Sequence, residues 1–81
     1  MSNLELRGEL AGLKQLNARL DIKADTIFRA LRYLLARAGV SQPVQDVDVE
    51  GMASLIADLI EVKGDKVRNL GTIARIEKEL S

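Results

Sequence analysis

Cysteine and histidine are both absent from this chain of 81 residues. Without cysteine the chain has no disulfide, no thiolate metal site and no thiol nucleophile. Without histidine it lacks the commonest metal ligand and the commonest general base. Only Phe28 and Tyr33 are aromatic, so the core must be aliphatic. These absences predict a protein that is not an enzyme and that carries no metal or cofactor.

Long hydrophobic runs and a net charge are also missing. The apolar runs are a few residues long, far short of the ~20 that span a bilayer, and the N-terminus has no signal-peptide pattern. Twelve basic and twelve acidic residues cancel, so the chain lacks the positive field that drives non-specific binding to nucleic acid. Together with the absence of cysteine, this predicts a cytoplasmic protein that does not enter a membrane.

The first half of the chain carries a heptad repeat of apolar residues, which is typical of a helix packed along one stripe. The repeat has two sets of positions, and nine of the ten residues in them are apolar: Leu6, Leu13, Leu20, Ile27 and Leu34, alternating with Leu10, Asn17, Ala24, Leu31 and Ala38. Ser2 or Asn3 can cap its start and Gly39 can end it. We expect one helix over about 3–38, with a break at Asp21–Asp25 as the alternative.

Residues 39–48 form the clearest break in the sequence, because Pro43 lacks a donor and disfavours helix before it. A second helix over about 49–80 is predicted to start near Asp48, where acidic side chains suit the positive end of the helix. Apolar residues recur at a spacing of eleven, as in Ile56 to Val67, so one apolar face can continue past residues 63–66. A kink there or a stop at Gly64 is the alternative.

Two long helices joined by about ten residues predict an all-α antiparallel hairpin. A lone hairpin encloses little core, so we expect a homo-oligomer, with dimerisation into a four-helix bundle. The charge distribution suits a hairpin: residues 1–40 carry a net charge of +3 and residues 41–81 a net charge of −3. The basic end of the first helix would then lie beside the acidic start of the second helix.

The first helix provides the candidate oligomer seam, which widens near the loop. Its members are Leu6, Leu10, Leu13, Asn17, Leu20, Ile27, Phe28, Leu31, Leu34 and Leu35. Asn17 is the one polar member, and a buried asparagine in a seam sets the register of the helices at a cost in stability. We expect its partner to be Asn69 or Lys66, or Asn17 of a second chain.

Four basic residues of the first helix form a candidate contact face: Lys23, Arg29, Arg32 and Arg37. We expect the chain to act by binding another protein, and the alternative is a nucleic-acid-binding regulator that uses this face. A calcium loop is not expected, because the run from Asp46 to Gly51 is followed by Ala57 where a bidentate glutamate is needed.

Two short runs, one at each end of the chain, carry a resemblance. Residues 2–10 read SNLELRGEL and residues 73–80 read IARIEKEL. Both are similar to the termini of small coiled-coil accessory proteins of Mu-like prophages, and together they cover about a fifth of the chain. The resemblance implies a phage accessory protein and assigns no functional residue.

Overall fold

A computed structural model describes residues 2–81 and shows two long helices folded into an antiparallel hairpin. Helix α1 spans Asn3–Arg37, a 3-10 turn spans Val44–Asp46, and helix α2 spans Val49–Leu80. The hairpin measures 59 × 14 × 14 Å, and its radius of gyration is 18.3 Å, against about 12 Å for a compact domain of this length. The predicted all-α hairpin is confirmed.

Helix α1 is capped at both ends by local hydrogen bonds. The Ser2 hydroxyl accepts from the backbone N–H of Glu5 at 3.2 Å, which satisfies one of the free donors of the first turn. The helix continues through residues 21–25 and ends at Arg37. Gly39 follows with a φ of +75°, a left-handed conformation that glycine adopts without a Cβ penalty. The backbone N–H groups of Ser41 and Gln42 then donate to the carbonyl of Arg37.

Helix α2 begins at a side-chain cap and runs without interruption to Leu80. A carboxylate oxygen of Asp48 accepts from the backbone N–H of Gly51 at 2.9 Å, so this acidic residue serves the helix start. The preceding segment, predicted to be irregular, contains the 3-10 turn. Helix α2 is continuous through Gly64.

The predicted apolar face of α2, which continues at a spacing of eleven, is correct only in part: Val62 and Ile73 are eleven residues apart and both buried, whereas Ile56 and Val67 are exposed. The residues that α2 turns toward α1 are buried or half-buried and recur at alternating steps of three and four: Met52, Leu55, Leu59, Val62, Lys66, Asn69, Ile73, Ile76 and Leu80. Val67 and Leu70 remain 58% and 49% exposed. Two helices in contact along their whole length must share one period, and the heptads of α1 impose theirs on α2.

The hairpin seam is the set of these nine residues and the ten heptad residues of α1. A hydrogen bond between Asn17 and Asn69 sets the register, which places Leu6 level with Leu80, Ile27 level with Leu59 and Leu34 level with Met52. All ten heptad residues of α1 are buried or half-buried. The predicted heptad phase of α1 is therefore the one that packs against α2.

The core that this seam encloses is small. Among residues 2–81, the side chains with less than a tenth of their surface exposed are Leu6, Asn17, Ile27, Val62, Ile73 and Ile76. Within the same residues, no ion pair joins the basic end of α1 to the acidic start of α2. Packing along the seam, rather than pairing of the opposite charges near the loop, therefore holds the helices together.

Candidate interaction surface

Large apolar side chains line one long edge of the hairpin and leave it unpartnered. We call this the apolar edge; its large members are exposed by 43–68% and are Phe28 and Leu35 of α1 with Val49, Ile56, Ile60, Val67 and Leu70 of α2. On α2 they fall in a series with steps of three and four that also contains Ala53, Ala74 and, between Ile60 and Val67, the charged Lys63. Helix α2 thus carries two parallel heptad stripes, of which the hairpin uses one.

The opposite edge of the hairpin is polar along α2. Its residues are Gly51, Ser54, Asp58, Glu61, Asp65, Arg68, Thr72, Arg75 and Glu79, and not one of them carries a large apolar side chain. A helix that needs only one covered face has polar residues on both flanks of its stripe. Helix α2 therefore exposes large apolar side chains on one flank of its buried stripe and polar side chains on the other.

The apolar edge contains a groove of about 300 Å³ between the helices. Phe28 and Ala24 form its α1 wall, Leu59, Val67 and Leu70 lie on the α2 side, and Val62 is also in the lining. Asp21, Lys63 and Lys66 are its polar lining residues. Exposed apolar surface of this kind, rimmed by charges, marks sites where proteins bind one another.

Next to this groove, toward the chain termini, the seam contains a polar layer. We use this name for Asn17 and Asp21 of α1 with Lys66 and Asn69 of α2. The Nδ2 group of Asn69 donates to Oδ1 of Asn17 at 3.1 Å, so Asn69 is the predicted partner of Asn17. The ammonium of Lys66 pairs with the Asp21 carboxylate, which lets a lysine at a seam position keep its charge near solvent.

One half of the Asn17 amide has no partner. Asn17 is 7% exposed, and its Nδ2 atom is buried without a hydrogen bond. The residue lines a second recess of about 420 Å³ on the apolar edge, together with Lys14, Asp21, Lys66 and Glu77 among others. Leaving such a group unpaired costs about 1–3 kcal/mol, so the hairpin alone does not complete its own polar layer.

The four residues of the predicted basic face do not lie on one face. Lys23 and Arg37 are two heptads apart on the α1 flank of the polar edge, Arg29 lies on the outer surface, and Arg32 borders the apolar edge. Arg29 pairs with Asp25 at 2.9 Å. The Arg37 guanidinium lies 5.6 Å from the centre of the Tyr33 ring and donates to its hydroxyl at 3.2 Å.

The candidate oligomer seam divides between two surfaces. Eight of its residues lie in the hairpin seam, and the other two, Phe28 and Leu35, lie on the apolar edge. The sequence predicted Asn69 or Lys66 opposite Asn17, but it placed Ile56 and Val67 on the same apolar face as Val62 and Ile73, and the first two are exposed. The detectable signal was the heptad series of α2, once polar residues are allowed at two of its positions.

No protein family model, curated protein or solved structure matches this chain. Within residues 2–81, no helix is long and apolar enough to cross a membrane. The same residues contain no group of acidic side chains arranged to hold a metal ion.

Proposed function

We propose that this chain is a small helical interaction module that acts by protein–protein contact, and that a second copy of the chain is the partner of its apolar edge. Two hairpins joined along this edge make a four-helix bundle. The observation that carries the proposal is the second heptad stripe of α2, which no residue of the hairpin covers. The absence of cysteine fits action in the cytoplasm, and the terminal resemblance fits a prophage accessory role.

The accessible surface area of the hairpin supports a second hairpin as the partner. Its accessible surface is 5987 Å², whereas a compact protein of 8.9 kDa exposes about 4,800 Å². The excess, about 1,200 Å², exceeds the ~800 Å² that each partner buries in a standard interface. A hairpin with so small a core gains more from covering this edge than from any rearrangement of its own side chains.

Two isoleucines provide a matched test of the apolar edge. Ile60 lies on that edge and Ile22 on the outer surface of α1, and both are 68% exposed in the hairpin. Each is inside a helix, so Ile60→Lys and Ile22→Lys change helix propensity and net charge equally. Burial of most of an isoleucine is worth about 1–2 kcal/mol, and each dimer contains two copies. We expect Ile60→Lys to raise the dimer Kd by at least tenfold and Ile22→Lys to leave it nearly unchanged.

Sedimentation equilibrium measures both variants directly, with circular dichroism to verify that each remains helical. A wild-type chain that sediments as a monomer at high micromolar concentration would contradict the proposal. Equal effects of the two lysines would show that the dimer forms through another surface.

Nucleic-acid binding is the alternative function, and the placement of the basic residues argues against it. Arg29 and Arg37 already have partners on their own helix, and the four basic residues spread around α1 instead of forming one strip for a phosphate backbone. A gel shift with random RNA and random DNA at low and moderate salt tests this alternative. Micromolar binding that is lost in moderate salt would favour it over the contact role.

A further inference from the structure

We infer that the two copies are related by a two-fold axis that runs along the hairpin, so that both loops lie at the same end of the bundle and α1 of each copy packs on α2 of the other. The inference rests on the proposed function, because it specifies how the apolar edges meet. In this arrangement, three independent features of the apolar edge meet complementary features of the second copy.

The first match is apolar. The large side chains of the apolar edge extend from the loop end to the level of Leu70, beside the polar layer, and their centre is the level of Phe28. With the axis along the hairpin, each level of one copy meets the same level of the other. Phe28 then lies opposite Ile60 of the second copy, and Leu35 lies opposite Val49 and Ala53 of the second copy.

The second match is electrostatic. Along the apolar edge α1 carries Arg7 and Lys14 near its start and Asp21 and Asp25 near its middle. The register of the hairpin places Glu77 at the level between Arg7 and Lys14. It likewise places Lys63 at the level between Asp21 and Asp25. Opposite charges therefore meet at these two levels where α1 lies on α2 of the second copy, in addition to the Lys14–Glu77 pair at 3.9 Å and the Asp25–Arg29 pair at 2.9 Å within each hairpin. This favours the pairing and steers it.

The third match is the polar layer. Asn17 has an unpaired, buried half-amide that lines the recess on the apolar edge. With the axis along the hairpin, the polar layer of one copy meets the polar layer of the other. The second copy then brings the amide and carboxylate oxygens of its own polar layer to the level of the unpaired Asn17 amide, and each Asp21–Lys66 pair lies beside its equivalent with alternating sign.

A reversed arrangement, with the axis across the hairpin and the loops at opposite ends, cannot make the first and third matches together. The polar layer lies about 13 Å from the level of Phe28, at ~1.5 Å per residue. Reversal about Phe28 sets Asp21 and its partner Lys66 against Leu35 and Val49 of the second copy. Reversal about the polar layer sets Phe28 at the level of Ala11, beside charged residues. Each reversal buries charges against apolar surface, which is costly.

Spin labels on single introduced cysteines distinguish these arrangements, and the chain has no native cysteine to interfere. Gly8→Cys lies near the open end, where an added Cβ meets nothing within 4 Å, and Val40→Cys lies in the loop, where the native side chain is 88% exposed. Pulsed dipolar spectroscopy on each labelled dimer gives the distance between the two equivalent labels. Circular dichroism and sedimentation verify that both variants fold and associate as the wild type does.

The axis along the hairpin predicts that both distances are set by the width of the bundle, about 20–40 Å. In any reversed arrangement, the separation of the two labels at position 8 and that of the two labels at position 40, both measured along the bundle axis, add up to about 96 Å. At least one of these label pairs is therefore about 48 Å apart or more. Such a long distance in a chain that dimerises would overturn the inference and leave the proposed function standing. The absence of any dipolar coupling at high micromolar concentration, with monomeric sedimentation, would overturn both.

Discussion

Replacing Asn17 with leucine should make the protein more stable, whereas replacing its partner Asn69 with alanine should make it less stable. Asn17 is 7% exposed, makes one hydrogen bond to Asn69 and leaves half of its amide unpaired. Asn69 is half-buried and can turn its amide to water. Substitutions of the two residues that share this hydrogen bond should therefore change the stability of the protein in opposite directions.

The magnitudes follow from what each substitution leaves behind. In the separate hairpin, where half of the Asn17 amide is unpaired, Asn17→Leu removes a group that costs about 1–3 kcal/mol, loses a hydrogen bond worth about 0.5–1.5 kcal/mol and adds apolar burial of similar size. We expect a net gain of about 1–3 kcal/mol. In a domain of this size that gain raises the melting temperature by roughly 10 °C. Asn69→Ala deprives the Asn17 amide of its one partner and should cost about 1–3 kcal/mol.

Thermal unfolding followed by circular dichroism measures both effects, at one protein concentration below the dimer Kd, because dimerisation stabilises by mass action and supplies a partner to the Asn17 amide. The double variant completes the cycle: with leucine at position 17, the loss of Asn69 should cost much less than it does in the wild type. Sedimentation of Asn17→Leu should show a less uniform assembly, since the polar group that sets the register is gone. If Asn17→Leu melts lower with unchanged sedimentation, Asn17 does not act in the seam as described.

Three further substitutions test the local architecture by urea unfolding. Gly71→Ala should stabilise by about 1 kcal/mol, because Gly71 is an exposed position inside α2 where a Cβ meets nothing within 4 Å. Gly39→Ala should destabilise by about 1–2 kcal/mol, because the φ of +75° strains any residue with a Cβ; an unchanged midpoint would argue against that turn. Asp48→Ala should cost about 1 kcal/mol through loss of the cap to Gly51, and Asp48→Asn, which retains an acceptor, should cost less.

The position of α1 and the residues that it packs inward follow from sequence alone. Its heptads run from Leu6 to Ala38 without a phase change, its start has a capping serine, and its end has a glycine. These signals are local and agree with one another, which is the situation in which a pattern specifies a helix. Pro43 and the acidic residues near Asp48 mark the loop and the start of α2 in the same way.

The inward face of α2 required the tertiary structure. By sequence, the more apolar stripe passes through Val67 and Leu70, and only the need of Asn17 for a partner indicates that Lys66 or Asn69 faces the seam. Pairing with α1 imposes the heptad period on α2, and the cost of placing Lys66 and Asn69 in the seam is offset because Asp21 and Asn17 lie opposite them. Periodicity counts apolar residues along one helix, but a partner for a polar group comes from the other helix. Because α2 turns Lys66 and Asn69 toward α1, it leaves Ile56, Ile60, Val67 and Leu70 on the apolar edge. The sequence therefore determined that this chain has apolar surface to bury. Only the packing of α2 on α1 decided which edge of the hairpin carries that surface.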